Sequence, residues 1–251
     1  MAKTLKSLLR AWLTRSIRPR RILAGPLRGL QIVTSWYDYP AAITGRTEGP
    51  LLEWFAKNVK LGDTWLDVGA HYGYTAIALS GLVGPTGRVF AFEPMLSTAG
   101  YLSQTRHLNH FTQLTVLPIA LAASHRLELK QLPTVRGMVD STIQREGWNE
   151  TILVTGLDWV WPQICGDQKK IDGIKIDVQG MEIEAVQGMS KLLKLYKPRL
   201  VIEVHRGVDR NKLLCLLEAT GYSPRGIPIE PSLGEIEPWG VDDRNYAFRA
   251  I

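Results

Sequence analysis

Two periodicities divide the chain. Leu5, Leu8, Leu9, Trp12 and Leu13 recur at i, i+3, i+4, i+7 and i+8, one apolar stripe of a helix, with Lys3, Lys6 and Arg10 off that stripe. From residue 51 onward, short apolar runs alternate with helical stretches. The pattern predicts helix over Leu51–Val59, a turn at Gly62-Asp63, strand over Thr64–Val68 and helix over Tyr74–Leu82, broken by Gly84-Pro85-Thr86-Gly87. Strand Arg88–Phe92, helix Leu96–Leu108 and strand Leu114–Leu121 follow. Residues 123–170 interrupt the alternation with a hairpin and the tryptophans Trp148, Trp159 and Trp161, and read as an insertion. It resumes with strand Gly173–Val178, helix Glu182–Leu195, strand Arg199–Val204 and helix Asp209–Thr220, and ends in strands Ser223–Ile227 and Tyr246–Ile251. Strands apolar on both faces, with helices between them, imply an α/β, Rossmann-like domain: a mostly parallel sheet covered on both sides.

Charge refines the division. The chain of 251 residues carries a formal net charge of +6, but residues 1–28 hold eight Lys and Arg, and no acid precedes Asp38. Without those eight, 22 basic residues face 24 acidic ones. The basicity therefore belongs to an N-terminal arm, residues 1–45, and the domain over 46–251 is slightly acidic, which argues against a nucleic-acid-binding face. The helix in the arm suits peripheral contact with a membrane or a partner groove, or packing on its own domain. No apolar run approaches the roughly 18 residues of a transmembrane helix, and no secretory leader is recognisable. Cys165 and Cys215 lack metal-type spacing. A cytoplasmic setting fits, with a peripheral membrane position open to the arm.

The densest chemistry lies in Asp67-Val68-Gly69-Ala70-His71-Tyr72-Gly73, where a strand feeds a glycine turn and then a helix. Such a turn presents backbone N–H groups to an anion. Dinucleotide sites want G-x-G-x-x-G, so that the backbone can approach a pyrophosphate. Here the spacing is G-x-x-x-G with His71 inside it, which disfavours NAD. S-adenosylmethionine (SAM) has no pyrophosphate, and it carries an ammonium and a sulfonium that Asp67 would complement. Glu93, followed by Pro94, ends the second strand 20 residues after Gly73, where an acid can accept hydrogen bonds from both ribose hydroxyls.

These segments resemble the FkbM-type family of class I SAM-dependent methyltransferases. The resemblance rests on Asp67 to Gly73, Phe92-Glu93-Pro94, Leu157-Asp158, Ile174-Lys175-Ile176-Asp177-Val178-Gln179-Gly180-Met181-Glu182, and Lys197-Pro198 through Glu203-Val204-His205. Glu48 matches an acid that the family places upstream of the first strand. Gln179 departs from the pattern, since the family has Glu there. The resemblance implies a seven-stranded sheet with an antiparallel last strand, and SAM held by Glu48, Asp67, Gly69, Ala70, His71, Gly73, Glu93 and Pro94. It further implies methyl transfer to a hydroxyl of a sugar or other small metabolite.

Methyl transfer depends on alignment and, for an alcohol, on a base. Asp177 and His205 end consecutive strands, and Glu182 starts the next helix. His205 is the expected base because imidazole titrates near neutral pH. Asp177 is expected to orient the acceptor or cofactor, and Glu182 to support the helix start. Oxygen ligands for a divalent cation exist in Asp177, Glu182 and Glu203, but no full set is fixed, and no metal is expected. The acceptor is expected to be selected by residues 123–170 and the segment before Glu48. The competing readings are an RNA methyltransferase that uses the basic arm and a non-catalytic SAM-binding protein. The sequence leaves the oligomeric state open.

Overall fold

The computed structural model describes residues 14–135, 138–139, 149–167, 170–230 and 242–251. The amphipathic stripe of residues 5–13 and Trp148 lie outside them. Strands β1 (Arg18–Arg21) and β2 (Gln31–Thr34) form an antiparallel hairpin, followed by α1 (Pro40–Thr44) and α2 (Gly49–Asn58). Then come β3 (Thr64–Val68), α3 (Tyr74–Val83), β4 (Arg88–Phe92), α4 (Leu96–Leu108) and β5 (Leu114–Leu117). The middle of the chain holds β6 (Ile119–Leu121), β7 (Glu128–Val135), β8 (Met138–Val139), β9 (Asn149–Thr155) and α5 (Leu157–Ile164). It closes with β10 (Gly173–Ile176), α6 (Glu182–Gln187), α7 (Ser190–Tyr196), β11 (Arg199–Val204), α8 (Arg210–Ala219), β12 (Ile227–Pro228) and β13 (Arg244–Phe248).

Seven strands make the central sheet in the order β12-β13-β11-β10-β3-β4-β5. Strands β11, β10, β3, β4 and β5 run parallel, and β13 is antiparallel to β11. This is the α/β, Rossmann-like fold expected, with the last strand reversed. Because side chains alternate, the two faces are distinct. Leu66, Val68, Phe90, Phe92, Ile174, Ile176, Leu200 and Ile202 face α5 to α8, while Trp65, Val89, Ala91 and Val201 face α2, α3 and the hairpin.

The hairpin belongs to that second core. Ile22, Leu27, Ile32 and Ala42 are buried with Phe55 and Ile77, and Val33 N donates to Thr105 Oγ1 of α4 at 2.9 Å. Packing is therefore continuous across residue 45, the boundary expected for the basic arm.

Several boundaries differ from the sequence expectation. The strand expected over Leu114–Leu121 divides at Pro118, which offers no N–H to a ladder. Its first half stays in the main sheet, and its second half, β6, pairs with β9. The insertion completes a second, four-stranded sheet, β6-β9-β7-β8. The helix expected over Glu182–Leu195 breaks at Gly188, where a Cβ would lie 2.0 Å from the Ala122 carbonyl oxygen. Asp158 then accepts from the backbone N–H groups of Lys191 and Leu192 at 3.0 Å each, supplying partners for two of the free donors that open α7. The final strands are shifted to Ile227–Pro228 and Arg244–Phe248. No helix among the described residues is long and apolar enough to cross a membrane.

Candidate active site

The parallel strands end on one side, where an open α/β sheet presents its ligand crevice. The register places Lys175 beside Asp67 across the β10–β3 pair, and beside Val201 across β10–β11. Two residues further along, on the same face, come Asp177 and Glu203; His205 follows Glu203 at the same alternation.

Asp67 is fully buried. Its Oδ2 accepts from Thr75 Oγ1 at 2.6 Å, and its Oδ1 lies 3.5 Å from Lys175 Nζ. Burial raises its pKa, with Lys175 and Thr75 acting in the opposite direction. Lys175 Nζ also donates to Asp177 Oδ2 at 3.0 Å. Burial disfavours the ammonium, but Asp177, Asp67, Glu203 and Glu48 outweigh it and hold the lysine charged. The sequence reading has Asp67 near the cationic groups of the ligand, complementing their charge. In the fold its counter-charge is Lys175, because the register sets the two side by side.

Glu93 is built differently. It lines a cavity together with Gly69, His71, Phe92 and Pro94. Its Oε2 accepts from His71 N at 2.8 Å and its Oε1 from Met95 N at 3.1 Å. Burial pushes its pKa up to about 7, against the pull of those two N–H groups. The second sheet adds the apolar Ile119, Leu121, Ile152 and Val154 to the lining, together with Lys130, and Met95 lies next to Glu93. The insertion expected to select the acceptor thus walls the cavity beside Glu93.

The glycine turn is fixed by close approach. Gly69 has φ +86°, and a Cβ there would fall 1.8 Å from the Asp177 carbonyl oxygen. Gly69 N and Ala70 N both donate to Phe92 O. His71, itself at φ +50°, packs between Tyr39 and Tyr72 at centroid distances of 5.5 and 4.3 Å. Burial drops its pKa to about 4, so it faces the cavity as a neutral imidazole.

At the far end, His205 Nδ1 donates to Glu182 Oε1 at 2.6 Å, and Glu182 is fully buried. His205 Nε2 lies 3.5 Å from Asp177 Oδ1, 3.7 Å from Glu203 Oε1 and 3.2 Å from Gln179 Nε2. Burial opposes the imidazolium, but the Glu182 hydrogen bond and the Asp177 and Glu203 charges prevail and raise the pKa to about 9. The base expected from sequence therefore has its pKa lifted above neutrality, chiefly by the Glu182 hydrogen bond and the Asp177 charge. Burial, with Asp177 adding to it, raises Glu203 to about 8. Asp177 has its pKa lowered: burial acts upward, but Lys175 and His205 outweigh it. Ligand atoms of Asp177, Glu203 and His205 lie within 4.8 Å of one another, a donor set of the kind that accepts a divalent cation. The sequence expectation of no metal rested on the lack of a complete set.

Of the residues singled out in the sequence, Gly69, His71, Glu93, Pro94 and Asp177 line the first cavity. Ala70 and Gly73 shape the turn behind it, where a Cβ on Gly73 would meet Leu102. Glu48, at φ +56° ahead of α2, lines a neighbouring cavity with Glu203. Lys175 and Tyr39 were given no role in the sequence reading, and Glu203 was weighed only as an oxygen ligand. Lys175 and Glu203 were legible from alternation once the strands were paired. Tyr39, its hydroxyl facing Thr47 and Glu48, gave no periodic signal.

Comparison with known proteins bears on the family and the fold. The Methyltransferase FkbM domain matches residues 67–246. A hexuronic acid methyltransferase, AglP of Haloferax volcanii, is 25% identical over 181 residues, 71% of each chain. Among solved structures, a SAM-dependent O-methyltransferase of Thermotoga maritima has a TM-score of 0.50 at 15% identity, covering 88% of this chain and 73% of its own. A Streptococcus mutans protein solved with S-adenosylhomocysteine has a TM-score of 0.50 at 10% identity, covering 80% and 96%. The structural likenesses carry the fold, and the domain match carries the family: the chain belongs to the FkbM-type class I methyltransferases, whose methyl donor is SAM.

Proposed function

We propose that this methyltransferase transfers a methyl group to a hydroxyl of a sugar or other small metabolite. The observation that carries the reading is His205, oriented through Nδ1 by the buried Glu182, with Nε2 turned toward the ionised Asp177. A base held by a carboxylate is the arrangement an alcohol acceptor requires.

The residues at the first cavity fit SAM chemically. Glu93 has two oxygens, each with one backbone donor and spare acceptor capacity for ribose hydroxyls. The apolar wall suits a purine, His71 and Gly69 offer a neutral surface, and Pro94 shapes the mouth. Asp67, Ala70 and Gly73 act from behind by fixing the turn. Glu48 and Asp177 supply negative charge toward the cationic end of the ligand. When bound, SAM supplies a methyl carbon whose bonding pair returns to sulfur as the acceptor oxygen takes the carbon.

The protein's own part is proton management. Asp177 accepts a hydrogen bond from a neighbouring hydroxyl of the acceptor and so aims the reacting O–H at His205. His205, once unprotonated, takes the proton at Nε2, and Glu182 compensates the imidazolium. Glu203, with its raised pKa, exchanges protons with His205. The chemistry falls to residues 46–251, with Tyr39 and the hairpin of residues 18–34 packed against them.

The test has two arms. Calorimetric titration with SAM, with NAD in parallel, is expected to give saturable binding to SAM only. Methyl transfer to a panel of glycosides, with His205→Asn as the inactive control, is expected to be lost about 10²–10⁴-fold in that variant. Folded protein that binds SAM but methylates only RNA, with steep salt dependence, would overturn the hydroxyl-metabolite reading.

A further inference from the structure

Acidic residues are unevenly placed along the chain. Residues 1–37 and 94–127 contain no Asp or Glu, although the sequence has 24 of them. The fold brings parts of these two segments together. Gln31 of β2 donates its N–H to Asn109 Oδ1 at 2.9 Å and accepts from Asn109 Nδ2 at 2.7 Å, while Val33 N donates to Thr105 Oγ1. The hairpin and α4 thus form one face without a carboxylate of its own. Arg15, Arg18, Arg21 and Arg28 are exposed on the hairpin side, and the end of α4 adds the half-buried Arg106 and the exposed His107. Among the described residues none of these arginines is ion-paired; Arg15 lies over the Tyr37 ring at 4.6 Å, and Arg106 Nε donates to Phe111 O. Guanidinium groups gathered on one face of an otherwise slightly acidic domain make a field that draws an external anion.

An apolar side chain sits among them. The hairpin loop buries Ile22 and Leu27 but leaves Leu23 55% exposed. Leu23 N donates to Ile43 O at 2.9 Å, and a Cβ on Gly25 would lie 2.6 Å from the Gly45 carbonyl oxygen, so the loop is braced against α1. Arginines around a braced, exposed leucine suit the headgroup layer of an anionic bilayer, where guanidinium groups meet phosphates and the leucine enters the acyl boundary. Single-stranded nucleic acid would call for exposed rings on which bases stack. This face offers none: residues 14–34 hold no aromatic side chain, and Tyr101 of α4 is itself stacked on Tyr72 at 6.1 Å.

We propose that the face formed by the hairpin and α4 docks the methyltransferase on an anionic phospholipid surface. The stripe of Leu5, Leu8, Leu9, Trp12 and Leu13, with its flanking basic residues, precedes this face directly in the chain and repeats its chemistry. Residues 35–38 alone separate β2 from Tyr39, whose ring packs against His71 of the donor cavity, so the docked face borders the site.

The test is flotation of the full chain with phosphatidylcholine vesicles, with and without about a third phosphatidylglycerol, at low and physiological salt. Binding is expected to the anionic vesicles alone and is expected to weaken as salt rises. Arg18→Gln combined with Arg21→Gln and Arg28→Gln is expected to weaken it at least about 30-fold. Leu23→Ser is expected to weaken it about fivefold. Melting temperature and SAM affinity should match the parent protein in both variants, and SAM affinity reports separately on the methyltransferase reading. Absence of binding to anionic vesicles overturns the proposal. So does binding that survives the triple substitution, which assigns docking to residues 1–13 instead. A labelled RNA oligomer held more tightly than the vesicles, through the same arginines, overturns it in favour of nucleic acid.

Discussion

The ends of β3 and β10 differ sharply from the end of β4, although in the sequence each simply finishes in an acid. At β3 and β10 the carboxylates of Asp67 and Asp177 close around Lys175, and the charge is settled inside the protein. At β4, Glu93 has only two backbone N–H groups, and its carboxyl opens on a cavity. The first arrangement holds a turn in place; the second has acceptor capacity left for something else. A buried acid with an ionic partner and a buried acid without one are different instruments, and the pairing of strands decides which is which.

The largest effect should come from breaking the settled side. Lys175→Met leaves the fully buried Asp67 without a cation and Asp177 with His205 alone, and is expected to cost about 3 kcal/mol in urea denaturation. A loss below about 1 kcal/mol would mean that Asp67 and Asp177 find other partners, and the contrast would collapse. The open side should respond in binding instead. Glu93→Gln is expected to weaken SAM roughly tenfold or more, read by calorimetry, with a melting temperature close to that of the parent protein. Similar losses of stability in both variants would erase the distinction.

His205 extends the settled side, since its imidazolium is favoured first by the Glu182 hydrogen bond and then by Asp177. Catalysis needs its neutral form, and the pKa is raised to about 9, so kcat/KM should climb through pH 8–9 rather than near 6.5. Glu182→Gln removes one compensating carboxylate and should move that rising limb to lower pH, while KM for SAM stays put. A limb that does not move would assign Glu182 to helix structure alone. The smallest effect is expected from Gln179→Glu, which adds a carboxylate 3.2 Å from the imidazole and should push the limb upward.

Much of this was readable without coordinates, for definite reasons. Strands β3, β4 and β11 have the bounds predicted because their apolar runs are buried on both faces, and α4 because a strand and a turn bracket it. The residues that gather at the first cavity were found because a glycine turn and a strand-end acid are local patterns. What escaped depends on distant partners. That Lys175 neutralises Asp67 follows from register between residues 108 positions apart, and no local pattern reports it. Pro118 was visible, but its effect, sending β6 into another sheet, requires β9 to be there. The upward shift of His205 likewise needs three carboxylates from three segments of the chain.

The Lys175–Asp67 pairing also has a consequence for the order of folding. Strand β3 can find β4 early, since only a short helix separates them, but β3 is flanked on its other side by β10, more than 100 residues later. Until residue 175 has been synthesised, Asp67 has no cation beside it, and the glycine turn has no Asp177 carbonyl to rest against. Long-range pairing of this kind is slow and must await the chain. The N-terminal half can therefore emerge from the ribosome and collapse without acquiring the site, and a fragment ending before β10 should neither bind the methyl donor nor sequester it.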